Sequence, residues 1–143
     1  MKLWTKIAFM MLFVPLVASA QFRDLDAAMS NLDRGFGNGD VQAIVAGVGS
    51  GDQVNLQFPG LVDQTGFFGR DQAAYLLDKL FNKTSPSGFE RVSARKVSAE
   101  GQYHIVARWN IAVGGRTETR DLYITLRNKD DRWSVVSVRS AGK

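Results

Sequence analysis

Apolar residues recur at helical spacing in the first part of the chain. One set falls at intervals of three and four and predicts a helix, with Phe22, Leu25, Met29, Leu32 and Phe36 on one face. Three glycines, Gly35, Gly37 and Gly39, predict its end. Asp40 is a suitable N-cap for a second, short helix that turns Val41, Ile44 and Val45 inward. A third helix is predicted from about Arg70 to Asn82, with a buried face of Ala73, Leu76, Leu77, Leu80 and Phe81.

The period changes to two beyond residue 52, which predicts strands. Val54, Leu56 and Phe58 alternate with polar residues, and Pro59-Gly60 closes this strand. From Phe89 onward the pattern predicts a meander of long strands. Gln102 to Val113 alternates strictly between the two faces.

Gly114-Gly115 is a two-residue hairpin signal, because glycine takes positive φ at both turn positions. This turn predicts a register in which Ile105 faces Ile124, Ala107 faces Leu122 and Tyr103 faces Leu126. It also places Trp109 opposite Arg120, Ile111 opposite Glu118, and His104 opposite Thr125. For the last hairpin a three-residue turn, 129–131, pairs Leu126, Ile124 and Leu122 with Ser134, Val136 and Val138. Asp121 would then lie between Arg108 and Arg139 in a charge row on the outer face, where each pair contributes little to stability.

The strand that begins near Phe89 has two registers in which the side chains point to opposite faces. With a three-residue loop, 99–101, Arg91 faces Trp109 and Arg95 faces Ile105, so both guanidinium groups point into the interior. With a two-residue loop, Val92 faces Trp109 and both arginines point outward. We favour the second register, because buried unpaired arginines are costly. It predicts an apolar interior and a preference for neutral hydrophobic ligands.

Together these elements predict an α+β domain in which helices pack on a strongly curved antiparallel sheet. A curved sheet wrapped over helices makes a cone with a mouth. This order of helices and strands resembles the cone of the cystatin-like and nuclear transport factor 2-like folds.

Residues 1–20 have the three-part form of a secretory signal peptide. Lys2 and Lys6 precede the apolar run 7–17, and Ala18-Ser19-Ala20 supplies small residues for cleavage before Gln21. The apolar stretch is shorter than the ~20 residues of a membrane-spanning helix. We therefore expect an exported protein, periplasmic or secreted, whose residues 21–143 form a single domain without membrane insertion.

The charge balance argues against nucleic acid as a partner. The net charge is +4, and the two leader lysines supply half of it. A nucleic-acid binder of this size would concentrate more positive charge. With no Cys and one His, the common zinc-ligand sets and Cys/His nucleophiles are missing, and we predict no metal and no cofactor.

The order of elements resembles the nuclear transport factor 2-like cone fold, which ketosteroid isomerases, polyketide cyclases and many binding modules share. Short motifs are similar to a family of small exported bacterial proteins known as a domain of unknown function, DUF4783. These are Gly39-Asp40, the run 68–73, Leu77 and Phe81, the Gly115-Arg116 turn and the strand segment 123–126. The resemblance covers nearly all of residues 21–143, and it implies a fold rather than one function.

Three functions remain open. The first is a non-catalytic binding module for a small apolar or amphipathic ligand or an envelope protein, with Tyr103, Ile105, Trp109, Leu122 and Arg120 as ligand-binding residues. The second is an isomerase- or cyclase-type enzyme with Glu118 or Asp63 as base and Tyr103 or Tyr75 as donor. The third is a structural module, for example a homodimer through the outer sheet face. Of these, we favour the binding module.

Overall fold

The structure is a computed structural model that describes residues 24–98 and 101–141. Its elements are α1 (Leu25–Asn38), α2 (Val41–Val45), β1 (Val54–Gln57), β2 (Gly66–Phe68), α3 (Arg70–Thr84), β3 (Gly88–Ser98), β4 (Gln102–Val113), β5 (Arg116–Lys129) and β6 (Arg132–Ser140). The predicted signal peptide, Phe22 and residues 99 and 100 lie outside the described residues. All three predicted helices are present.

Side-chain caps and glycines define α1 and α2. The Ala27 amide donates to Asp24 Oδ1 at 2.8 Å, and Gly39 ends α1 with a φ of 75°. Asp40 caps α2 as predicted, accepting from the Ala43 amide at 3.3 Å. A Cβ built on Gly35 would lie 2.3 Å from Ile44 Cγ1, so glycine there allows the close approach of α1 and α2.

The six strands form one sheet in the order β2-β1-β6-β5-β4-β3. Two features were not predicted: the short strand β2, and the parallel pairing of β1 with β6, which makes the sheet mixed rather than fully antiparallel. Parallel pairing joins distant parts of the chain, and no local turn signal announces it.

The β4–β5 register is confirmed over twelve pairs, from Gln102 opposite Arg127 to Val113 opposite Arg116. Gly114 and Gly115 have φ values of 59° and 81°, as the two-residue turn requires.

Neither predicted register of β3 is correct. Phe89 lies opposite Trp109, and two register shifts, near Val92 and Val97, change the facing of the residues between them. The favoured register is wrong for Arg91, which lies opposite Ala107 on the helix-facing side and whose Nη2 lies 3.2 Å from Asp33 Oδ2 on α1. The cost of placing the Arg91 guanidinium on this face is offset by the ion pair and by exposure to solvent. Arg95 lies opposite exposed His104 and points outward, as that register predicted.

The predicted three-residue turn before β6 is also wrong. Lys129 lies opposite Arg132, so the turn contains only Asp130 and Asp131, with φ values of 55° and 62°. A register shift follows between Thr125 and Leu126. The combined effect places Arg139 opposite Tyr123 instead of Asp121.

The core lies between the helices and the inner sheet face, and Trp109 is at its centre. Its ring centroid is 5.8 Å from that of Phe36, 6.2 Å from Phe58 and 6.3 Å from Phe81. The Trp109 Nε1–H donates to the Phe36 carbonyl at 2.9 Å. Since the ring is fully buried and its polar atom is bonded, this cluster fills the narrow part of the interior.

Candidate functional site

Three of the five predicted ligand-binding residues lie in the packed core. Ile105, Trp109 and Leu122 are at most 1% exposed. Trp109 contacts phenylalanine rings on several elements, so the volume assigned to a ligand is occupied by protein side chains here. Their buried side chains form the core beneath the sheet and are not available to a ligand.

Arg120 lies opposite Trp109, as predicted, and closes one end of the interior. Its Nη1 donates to the Pro59 carbonyl at 2.9 Å, and its Nε lies 3.2 Å from Glu118 Oε1. The side chain is 7% exposed. The bond to Pro59 joins strand β5 to the turn after β1, and the bond to Glu118, also on β5, holds the guanidinium in place, which makes Arg120 a structural link.

The proposed bases and donors do not converge. Glu118 is ion-paired with Arg120, and Asp63 lies exposed in the loop before β2. Tyr75 is 66% exposed on α3. The buried polar residues among those described are Thr84, Arg120 and Ser140. None of these is an acid that could act as a desolvated base.

An open groove of about 420 Å³ lies at the opposite end of β5 from Arg120. We call it the β6 groove; its walls are residues 46–50, 52, 53, 127, 129, 130 and 132–136. It separates the segment that links α2 to β1 from the β5–β6 hairpin.

The groove exists because β1 and β6 diverge. Their parallel pairing starts at Asn55 opposite Ser137, so residues 132–136 extend beyond the start of β1. The segment before β1 makes its own turn, in which the Asp52 amide donates to the Gly49 carbonyl at 3.0 Å. The Arg70 Nε–H anchors this segment to α3 by donating to the Val48 carbonyl at 3.1 Å. These bonds hold the wall away from β6.

The groove combines an aromatic side chain with charges of both signs. Trp133 is half-buried in its wall, and the ring packs edge-on against Tyr103 at 5.8 Å. Tyr103 is thus the predicted ligand-binding residue nearest to the opening. Arg127 and Lys129 contribute positive charge, and Asp52 and Asp130 contribute negative charge. Such a surface suits an amphipathic ligand.

Sequence reasoning missed this groove. Its signals are the three alternate glycines Gly47, Gly49 and Gly51 before β1, and a tryptophan just after a hairpin turn. Neither becomes informative until the parallel β1–β6 pairing is known, because that pairing alone brings residues 46–53 beside residues 132–136.

A second depression, of about 480 Å³, lies on the outer sheet face. His104 is opposite Thr125, as predicted, and both line it together with Arg95 and Arg139. The Arg139 guanidinium carbon lies 4.6 Å above the centre of the Tyr123 ring. None of the described residues that line this depression is acidic.

The described residues contain no cluster of three potential metal ligands. Within the same part of the chain, no helix is both long and apolar enough to cross a membrane.

The fold defined by these helices and this sheet is the nuclear transport factor 2-like α+β fold. Two similar solved structures are DUF4783 family proteins. The one from Bacteroides ovatus has 18% identity, a TM-score of 0.63 and coverage of 80% of this chain and 93% of its own. The one from Bacteroides uniformis has 12% identity, a TM-score of 0.66 and coverage of 80% and 95%.

A third similar structure, from Shewanella oneidensis, is a nuclear transport factor 2-like protein of unknown function. It has 19% identity, a TM-score of 0.58 and coverage of 81% of this chain and 93% of its own. Comparison of the sequence finds no matching family model and no matching curated protein. These likenesses show the fold; they leave the function to be argued from the site.

Proposed function

We propose that this chain is an exported, non-catalytic binding module that binds an amphipathic ligand in the β6 groove. The observation that carries the proposal is the aromatic and charged lining of an open groove of about 420 Å³. Ligand sites in proteins are concave surfaces of this size with apolar contacts and a few placed polar groups.

The ligand class differs from the neutral hydrophobic molecule that the sequence favoured. That expectation depended on an apolar interior open at its mouth. Arg120 and Pro59 close one end of the interior, and aromatic rings fill its centre. The groove instead offers Trp133 beside Arg127 and Lys129, so a ligand with an apolar part and an anionic part fits best.

Binding without catalysis accounts for the placement of the acids. Isomerase or cyclase chemistry requires a desolvated base beside the substrate, with a donor for the oxyanion. Asp52 and Asp130 are the acids of the groove, and both are exposed. No tyrosine hydroxyl is bonded to either among the described residues.

The groove can be tested with the anionic amphipathic dye 1-anilinonaphthalene-8-sulfonate. We expect the folded protein to bind it with increased fluorescence. Ser50→Trp, which adds bulk at an exposed lining position, should weaken binding at least tenfold without altering the core. Tyr75→Ala removes an exposed aromatic side chain on α3 that does not line the groove, and it serves as the control.

Thermal unfolding of each variant verifies that the dye reports a site and not a loosened fold. The proposal fails if the native protein does not bind the dye, or if Ser50→Trp binds it as the unchanged protein does.

The export part of the proposal has a separate test. Ala18-Ser19-Ala20 predicts cleavage before Gln21. Intact mass of protein isolated from the cell envelope should therefore correspond to a chain that begins within a few residues of Gln21. A species that retains residues 1–20 would indicate a membrane anchor.

A further inference from the structure

We infer that the β6 groove binds an extended peptide, which adds to the exposed edge of β6 as an extra strand. This inference rests on the proposed function and names the chemistry of its ligand. It follows from the hydrogen-bonding groups that β6 leaves facing the groove.

The register of the β5–β6 hairpin identifies those groups. In an antiparallel pair joined by a two-residue turn, the residues that flank the turn exchange hydrogen bonds, and the next pair does not. Lys129 and Arg132 flank the turn. Trp133 and, by the same alternation, Val135 therefore direct their backbone N–H and C=O groups away from β5.

A hydrogen bond on the other side of the hairpin supports this alternation. Asn128 lies opposite Trp133, and its amide donates at 2.9 Å to the Gly101 carbonyl, on the β4 side of β5. The Asn128 amide is thus not used to bond β6. Trp133 is its counterpart and faces the opposite edge.

On that edge the neighbouring strand is missing. β1 pairs with β6 only at Ser137, Val138 and Arg139. Among the described residues, no backbone hydrogen bond outside the sheet ladders reaches Trp133 or Val135, and the β1–β6 ladder begins only at Ser137. An extended peptide in the groove would supply partners for four backbone groups, as in β-strand addition.

The two faces of the groove indicate which side chains such a peptide carries. Trp133 and buried Val135 point to the inner face, whereas Arg127 and Lys129 point to the outer face with Ser134. Successive side chains of a strand alternate between faces. The best fit is therefore a segment that alternates apolar with acidic residues, although Asp52 at the rim opposes very high negative charge.

The probe is the peptide acetyl-Glu-Val-Glu-Val-Glu-amide, and the readout is backbone amide hydrogen exchange followed by NMR. In the free protein the Trp133 and Val135 amides should exchange rapidly and the Ser134 amide slowly, because only Ser134 bonds to β5. Saturating peptide should slow exchange at Trp133 and Val135 at least tenfold and leave Ser134 unchanged. Protection of Trp133 and Val135 in the free protein would show that β6 has no open edge, and the inference would be wrong.

Three matched peptides separate backbone pairing from nonspecific contact. A lysine-for-glutamate version should bind at least tenfold more weakly, because Arg127 and Lys129 repel it. Of two N-methylated versions, one with methyl groups on the valine amides and one on the glutamate amides, only one should lose binding, by at least tenfold. Antiparallel addition makes the valine version the sensitive one, and parallel addition the glutamate version. Equal effects of the two methylation patterns overturn the inference.

The two probes distinguish failure of this inference from failure of the proposed function. If the dye binds in a manner sensitive to Ser50→Trp while the peptide leaves the Trp133 and Val135 amides unprotected, the groove is a ligand site but not a strand-addition site. If neither probe binds, both proposals are wrong.

Discussion

The Ser140 hydroxyl is a buried polar atom without a hydrogen-bond partner among the described residues. Ser140 lies opposite Leu122 on the inner face and is 1% exposed. A buried group without a partner carries its desolvation penalty without compensation. We expect Ser140→Ala to raise the free energy of unfolding by about 1 kcal/mol, as measured by urea denaturation.

Thr84 provides the matched comparison, because its equally buried hydroxyl donates to the Leu80 carbonyl at 2.8 Å. Thr84→Val, which keeps the shape and removes the donor, should lower the free energy of unfolding by about 1 kcal/mol. If Ser140→Ala also destabilises the protein, the hydroxyl has a partner that the structure does not show.

Arg120 and Asp121 are adjacent in the chain but should contribute very differently to stability. Arg120 is buried and bonded to Pro59 and Glu118. Arg120→Met should lower the free energy of unfolding by roughly 2–4 kcal/mol, because it leaves both acceptors unpaired. Asp121→Asn, on the exposed face opposite Arg108, should change it by less than ~0.5 kcal/mol and leave dye binding unchanged. A large loss of binding in Asp121→Asn would contradict its placement on the outer face.

Two hairpin turns of the same length differ in how well their residues suit positive φ. Gly114-Gly115 adopts it freely, whereas Asp131 adopts a φ of 62° at a cost. We expect Asp131→Gly to raise the free energy of unfolding by roughly 0.5–1 kcal/mol, after the greater unfolded-state entropy of glycine is subtracted. Gly115→Ala is the reverse change and should lower it by about 1 kcal/mol. Equal midpoints of urea unfolding for Asp131→Gly and the unchanged protein would argue against a two-residue turn.

These two hairpins also explain how far the sequence predicts the fold. The three helices and the β4–β5 register follow from local signals: periodicity, Asp40 as a cap, and a glycine pair that permits one turn. Asp130 and Asp131 do not specify one turn length in the same way. A three-residue turn therefore agreed equally well with the alternation of apolar residues in the two strands. The register shifts near Val92 and Val97 leave no periodic signal in the sequence. For this reason the predicted orientation of Arg91 was wrong.

The candidate site was less predictable than the fold because it depends on contacts between distant segments. Tyr103 alone among the proposed ligand residues lies beside the groove, through its contact with Trp133. The inner-face alternation that selected Ile105, Trp109 and Leu122 identifies buried positions, and buried positions in a well-packed domain form the core. An open surface arises where packing stops, as it does between residues 46–53 and β6.

Local and distant strand pairings should form at different stages of folding. The β4–β5 hairpin joins neighbouring segments, whereas β1 and β6 are far apart along the chain, and closing that loop costs entropy. Ile105→Val in β4 should slow folding, with a φ-value above about 0.5. Val54→Ala in β1 should mainly accelerate unfolding, with a φ-value below about 0.3.

Stopped-flow chevron plots of both variants test this order. Similar φ-values at the two sites would indicate that β1 docks before the rate-limiting step. Val54 and Ile105 are both buried in the core, so a difference between their φ-values reflects the strand in which each lies and not a difference in burial.

The parallel pairing of β1 with β6 also bears on biosynthesis. Strand β1 can pair with β2 early, but it cannot join the rest of the sheet until the ribosome has made residues 137–139, which pair with residues 55–57. Shorter nascent chains therefore contain the segment from α1 to β1 but lack β6, the strand that joins it to the rest of the sheet. Under the export proposed above, the polypeptide would have to stay unfolded until it enters the secretion channel. The topology of this chain delays folding in the same way, because β6, which joins β1 to the rest of the sheet, follows all the other strands of the described residues.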